Sequence, residues 1–230
     1  MHTHDGSTHS HTHGHSHDHD HDHDHNHDHG HDHGRGRQHT VGTAETRTVE
    51  LQQKLLSKND EQAERNRAWL KARGIVAVNM ISSPGTGKTL LLERTLEGLR
   101  DTVRCAVITG DQRTDHDARR LQGKGAPVRQ IETINACHLD AEQVGRLLPE
   151  VCEEGVRLLF IENVGNLVCP SAFDLGESFK IALLSTTEGE DKPVKYPSLF
   201  SAAPVVVLTK MDLAPHLDWD AAACRAALRQ

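Results

Sequence analysis

From Gly74 onward, apolar runs of strand length alternate with segments whose leucines fall on one helical face. The runs are Ile75–Ile81, Val103–Ile108, Val156–Ile161, Phe179–Leu184 and Pro204–Leu208. Leu92, Leu96 and Leu99, between the first two runs, have the spacing of a helix packed by one stripe. Continuous apolar strands separated by amphipathic helices predict an α/β fold: a mainly parallel sheet with helices on both faces.

Upstream the pattern changes twice. Residues 45–73 are charged and helix-prone, with Leu51, Leu55 and Leu56 ahead of an expected break at Asn59-Asp60. A second helical piece then carries Ala63, Arg67 and Leu70 on one face and ends at Gly74. The first 39 residues hold sixteen of the nineteen histidines, interleaved with seven aspartates, and contain no Leu, Ile, Phe or Trp. Such a stretch buries too little apolar surface to offset its ordering entropy, so residues 1–39 are expected to be a disordered, metal-binding tail. The division expected is a tail at 1–39, a helical extension at 40–73 and a nucleotide-hydrolase domain at 74–230.

The formal charge of −7 becomes less negative on mild acidification as the tail histidines titrate. With seven aromatics and no basic patch interleaved with them, nucleic acid is not an expected partner. No run approaches the ~20 apolar residues that span a bilayer, and no secretory apolar segment opens the chain. Five cysteines without a disulfide-like framework fit a cytoplasmic protein with free thiols or metal ligands.

The first run leads into Ser82-Ser83-Pro84-Gly85-Thr86-Gly87-Lys88-Thr89, and a helix follows near Leu90. This strand–loop–helix setting is that of a phosphate-binding P-loop. Gly85 and Gly87 allow amides to turn toward phosphate oxygens, while the helix N-terminus adds partial positive charge. Gly85, Thr86, Gly87, Lys88, Thr89 and Leu90 are therefore expected around the nucleotide. Lys88 would meet the terminal phosphates and Thr89 would take a Mg²⁺ position. Ser82 stands where the strict pattern has glycine.

The second run ends in Thr109-Gly110-Asp111, with Asp115 and Asp117 beyond it, and the third ends in Glu162-Asn163-Val164-Gly165. An acid at a neighbouring strand end holds Mg²⁺ in such sites; Glu162 fits best, with Asp117 and Asp111 as further choices. Alone, each aspartate reads equally as a solvated loop residue or helix cap. The last run feeds Thr209-Lys210-Met211-Asp212. Asp212 would accept two hydrogen bonds from guanine while the Lys210 stem covers the ring, which adenine cannot reciprocate.

Cys137, His138 and Cys169 form a second constellation. Thiolate with imidazole suits Zn²⁺ or Ni²⁺, and the ligand set does not choose between them. Adjacent Cys and His converge on one ion only from irregular backbone, and Cys169 before Pro170 also reads as a loop. Burial as small apolar groups is the competing reading, and it is preferred for Cys105, Cys152 and Cys224. Both metal loops continue nucleotide-sensing segments: Cys169 lies seven residues past Glu162 and Cys137 twenty past Asp117. Reciprocal coupling of nucleotide state and metal occupancy is expected.

The segments NMISSPGTGKT (79–89), GDQRTDHDA (110–118), CHLD (137–140), ENVGNLVCP (162–170), TEGEDKP (187–193) and TKMDL (209–213) together resemble the HypB family of nickel-insertion GTPases in hydrogenase maturation, of the SIMIBI class. The resemblance spans residues ~45–214. It implies hydrolysis of GTP to GDP and phosphate, metal at Cys137, His138 and Cys169, and a homodimer that depends on nucleotide or metal. It also implies a HypA-like nickel metallochaperone and a [NiFe]-hydrogenase large subunit as partners, and an approach of Lys195 to the nucleotide of the dimer mate. No residue is assigned to orient the attacking water.

Two departures are visible. Some members begin with a cysteine-rich motif, whereas this chain has no cysteine before Cys105. Members also continue past the base-reading segment with a strand, a Ser-Ala-type loop on guanine and a helix, which have no counterpart after Leu228. A truncated chain or incomplete guanine pocket with an exposed sheet edge is the expectation. The alternatives are a urease-type nickel-insertion GTPase, whose Cys-Pro-His motif differs from Cys137-His138, and a nickel-storage protein.

Overall fold

Among the described residues six strands form one all-parallel sheet, β1 (Val76–Ile81), β2 (Cys105–Asp111), β3 (Val128–Glu132), β4 (Leu158–Glu162), β5 (Phe179–Ser185) and β6 (Val205–Thr209), in the order β3-β2-β4-β1-β5-β6. The computed structural model describes residues 44–111, 116–133 and 137–229, apart from the side chains of residues 44–52, 111, 116 and 117. The tail expected at 1–39 lies outside the described residues.

The predicted parallel α/β sheet is therefore present, and its centre explains the sequence pattern. In β1 every residue after Val76 is buried, as a strand covered on both faces requires. Among the described residues eight α-helices accompany the sheet: α1 (Ala44–Ala72), α2 (Lys88–Leu99), α3 (His116–Leu121), α4 (Ala141–Val151), α5 (Cys169–Ala172), α6 (Lys192–Lys195), α7 (Pro197–Ala202) and α8 (Ala221–Ala227). One core cluster joins α1 and α4 to the sheet through Leu70, Val144, Leu148 and Leu159. The opposite cluster joins α2 and α3 through Leu92, Leu96 and Leu121. β3, absent from the sequence reading, is an edge strand of which Ile131 alone is buried, so its polar residues gave no apolar run. β6 forms the other edge, and none of its residues is fully buried.

The expected break at Asn59-Asp60 is corrected: α1 is one continuous helix of 29 residues. Asn59 does not turn its amide onto its own backbone. It is buried, donating to the Asp174 carbonyl at 2.8 Å and accepting from the Ala141 amide at 2.9 Å. Asn66 on the same face donates to the carbonyls of Ala141 and Leu175 at 2.7 and 2.9 Å. α1 is thus fastened to the start of α4. Asn59→Ala leaves the Ala141 N–H at that helix start without its side-chain acceptor, so equilibrium urea unfolding is expected to lose about 2 kcal/mol.

Candidate functional site

The central strands β1 and β4 end side by side, with Met80 opposite Glu162 and Ile81 beside β5, and the chain after β1 turns directly into α2. That turn is the predicted phosphate loop. Gly85 and Gly87 have φ of 72° and 100°, values disfavoured for residues with a Cβ, and Gly87 immediately precedes α2. A Cβ at either glycine would meet nothing within 4 Å, so backbone conformation is the constraint there, not space. The loop walls a cleft of about 560 Å³, lined by Ser83 through Leu90, Gly110, Arg120 and Glu162 through Gly165. That volume suits a nucleotide-sized ligand.

Within the cleft Lys88 is buried and its Nζ donates to Ser82 Oγ at 3.2 Å. The residue standing in place of glycine thus parks the lysine head. Thr89 Oγ1 donates to Glu162 Oε1 at 2.6 Å, both side chains being buried. Two hard oxygen donors at the phosphate end fit a Mg²⁺ ion. Asp111 ends β2 opposite Glu132, and Asp117 falls in α3; their side chains, and the metal-ion roles expected of them, lie outside the described residues. Leu90 lines the cleft with its side chain half exposed.

The segment expected to read the base is laced to the phosphate loop. Thr209 Oγ1 donates to the Thr86 carbonyl at 2.7 Å, and Thr186 Oγ1 donates to the Lys210 carbonyl at 2.8 Å. Lys210 has φ 55°, the only non-glycine residue with positive φ among those described. Asp212 follows in the exposed 3-10 turn Met211–His216. The Thr86 hydroxyl lies 2.9 Å from the Ser83 carbonyl and 3.0 Å from Glu188 Oε2, its proton shared between them. Lys195, in α6, pairs with Asp191 at 2.5 Å and does not line the cleft of its own chain.

The second constellation is assembled at the same end of the sheet. Cys137, His138 and Cys169 present ligand atoms that all lie within 4.8 Å of one another, the only such group of three among the described residues. Cys137 Sγ is 3.5 Å from His138 Nδ1. The pair sits in bent backbone before Asp140, which caps α4 in a reciprocal box with Gln143. Cys169 opens the one-turn α5 with Pro170 behind it, where a loop was expected; proline in a first helical turn loses no needed hydrogen bond. The His138 ring stacks on Phe173 with centroids 3.8 Å apart. Burial holds His138 below its ordinary pKa, favouring the neutral ligating imidazole. Hydrogen bonding to Cys169, then burial, pushes the Cys137 thiol up, so a metal must displace its proton. Cys105, Cys152 and Cys224 are buried as read from the sequence, Cys152 with its thiol pushed up to about 11 by desolvation.

Asn163, quoted in a motif but given no role there, joins the two sites. Its Oδ1 accepts from the amides of Leu139 at 3.2 Å and Val164 at 3.0 Å, and its Nδ2 donates to Asn79 Oδ1 at 3.2 Å. Asn79 donates in turn to Glu177, which is paired with Lys180. Asn166 adds a bond of 3.4 Å to the Cys137 carbonyl. Arg120 is the other residue that motif reading missed: it enters the cleft from α3, a helix whose approach to α2 no local pattern announces.

A family model described as CobW/HypB/UreG, nucleotide-binding domain, matches residues 76–230. Hydrogenase maturation factor HypB of Azotobacter vinelandii is 53% identical over 194 residues, which cover 84% of this chain and 64% of that protein. The chain thus spans slightly under two thirds of that relative's length. The crystal structure of hydrogenase maturation factor HypB from Archaeoglobus fulgidus matches with a TM-score of 0.71 and 38% identity, over 76% of this chain and 85% of that one. HypB from Helicobacter pylori in complex with nickel matches at 0.70 and 39%, over 75% and 81%. With its P-loop, its Cys-His-Cys cluster and these likenesses, the chain belongs to the HypB family of hydrogenase maturation factors.

Proposed function

We propose that this chain is a cytoplasmic GTPase that takes up nickel at Cys137, His138 and Cys169 and releases it, under control of the nucleotide, to the large subunit of a [NiFe]-hydrogenase. A HypA-like metallochaperone is the proposed nickel partner, and a homodimer, with Lys195 reaching the mate's nucleotide, the working form. The observation that carries the reading is the segment from Glu162 to Cys169. Its first residue holds Thr89 in the phosphate cleft, its second bonds the amide after His138, and its last belongs to the Cys-His-Cys group whose ligand atoms lie within 4.8 Å of one another. The nickel complex of the Helicobacter pylori relative supports Ni²⁺ as the cargo.

Catalysis in this reading is positioning and charge neutralisation. Loop amides from 85 to 89 and the start of α2 hold the phosphates, and Lys88 leaves Ser82 Oγ for their terminal oxygens. Thr89 and Glu162 would hold Mg²⁺, which when bound supplies further neutralisation of the phosphates. Asp212 selects guanine, and the segment that carries it is tied to the phosphate loop by the bond from Thr209 to Thr86. Where Asn163 and Asn166 shift with the phosphate end, the backbone of Cys137 and Leu139 must follow.

The test is phosphate release from GTP, ATP and XTP, with and without Ni²⁺, by the parent chain and Asp212→Asn. The parent should turn over GTP and spare ATP. Asp212→Asn should weaken GTP by roughly 100-fold, the loss of about 2–3 kcal/mol of charge-assisted hydrogen bonding, and gain XTP. Ni²⁺ should change the GTP rate. Equal use of ATP and GTP would overturn guanine selection by Asp212, and nickel uptake with no turnover at all would replace this reading by nucleotide-independent storage.

A further inference from the structure

The phosphate cleft has two cationic side chains in its lining, and only Lys88 belongs to the P-loop; the other is Arg120. The two come from different walls, Lys88 from the first turn of α2 and Arg120 from α3. Arg120 is tethered to Glu93 on α2, its NH2 donating to Oε2 at 2.9 Å, with the arginine side chain 47% exposed. A half-exposed ion pair of this kind contributes little net stability, so a multiply charged phosphate competes with it readily. The local charge arrangement also makes release inexpensive. Glu93 Oε1 is held by Lys124 Nζ at 2.7 Å, and Lys124 contacts Glu97 at 2.6 Å. When Arg120 leaves, Glu93 keeps a cation and no carboxylate is stranded.

We infer that Arg120 is a catalytic residue supplied by the chain itself: on GTP binding it exchanges Glu93 for the non-bridging oxygens of the γ-phosphate. This assignment rests on the GTPase reading above. In the hydrolysis step the water oxygen bonds to the γ-phosphorus while the bond from phosphorus to the β–γ bridging oxygen breaks. The electron pair of the broken bond stays on the GDP oxygen, and the proton of the water ends on inorganic phosphate. The planar guanidinium presents two parallel N–H donors to the charge spread over the transferring group, which an ammonium cannot match. Lys88 acts from the loop side and Arg120 from α3, so the transferring group is clasped between them.

Single-turnover GTP hydrolysis, GDP affinity, and formation of a GDP–fluoroaluminate complex test this on the full chain. Arg120→Ala should lower the hydrolytic rate at least about 1000-fold, the low side of what arginine fingers contribute. GDP affinity should stay within roughly threefold, and the fluoroaluminate complex should be lost. Arg120→Lys should fail to restore the rate. Glu93→Gln severs the same ion pair yet leaves the guanidinium present, so it should hydrolyse GTP at least as fast as the parent. If Glu93→Gln falls as far as Arg120→Ala, the ion pair is structural and the assignment is overturned. Parent-like hydrolysis by Arg120→Ala alongside an inactive Lys88→Ala overturns it too, leaving the GTPase reading intact. Parent-like hydrolysis by Lys88→Ala strikes at the GTPase reading itself.

Discussion

A Lys88→Ala chain is expected to keep its fold and to lose roughly 10²–10³ in kcat/KM for GTP. Lys88 is a buried cation in the wall of the phosphate cleft, where a charge interacts strongly with phosphate. Removing one such donor from a preorganised site costs about 3–4 kcal/mol of transition-state stabilisation. The loop itself should survive. Its conformation depends on Gly85 and Gly87 and on the bonds of Thr86 to Glu188 and Thr209, none of which uses the lysine side chain. Ser82 keeps its bond to the Ser83 carbonyl at 2.8 Å. Unfolding curves matching the parent, with phosphate release and calorimetric GDP binding both reduced, is the expected combination. Turnover and binding equal to the parent would remove the phosphate loop from the function.

Cys169→Ser is expected to abolish high-affinity nickel binding at the paired loops while leaving the histidine tail able to load metal. A serine hydroxyl is a poor ligand for a borderline divalent ion at neutral pH, and two remaining donors do not make a site, so affinity should fall by at least about 100-fold. Because the tail offers imidazole and carboxylate and no thiol, the ultraviolet sulfur-to-nickel charge-transfer band reports the paired loops alone. That band should vanish in Cys169→Ser and in Cys137→Ser, with nickel still retained on the chain by count. Cys169 is only partly buried at the start of α5, so the substitution leaves the core clusters untouched. A persisting band at unchanged nickel concentration would show that these thiols are not the ligands.

The central strands were legible because strands covered on both faces must be apolar throughout, and the P-loop because its glycines and lysine are contiguous. β3 was not, since an edge strand bearing Arg129, Gln130 and Glu132 needs no apolar signature. The continuity of α1 through Asn59 was hidden for a different reason. Asparagine usually turns its amide on its own backbone, and only the carbonyl of Asp174 and the amide of Ala141, more than 80 residues away, draw it elsewhere. The metal residues were legible as ligand types. Their grouping was expected from ligand chemistry, but the contact that achieves it was not in the spacing, because it requires β4 to lie beside β2 and the segments after β3 and β4 to meet. Arg120 and Asn163 belong to the same class: their partners are set by topology, not by spacing.

Gly110, next to last in β2, has its own consequence for the loop that carries Cys137 and His138. A Cβ there would lie 2.8 Å from Leu139, so the absence of a side chain makes the seat in which Leu139, fully buried, is lodged. Leu139 follows His138 directly and so plugs the loop into the sheet like a bung. A side chain lodged this way does not drift by degrees; it is either home or out. Surrender of the cargo should therefore come as a single all-or-none event and not as a gradual loosening of grip.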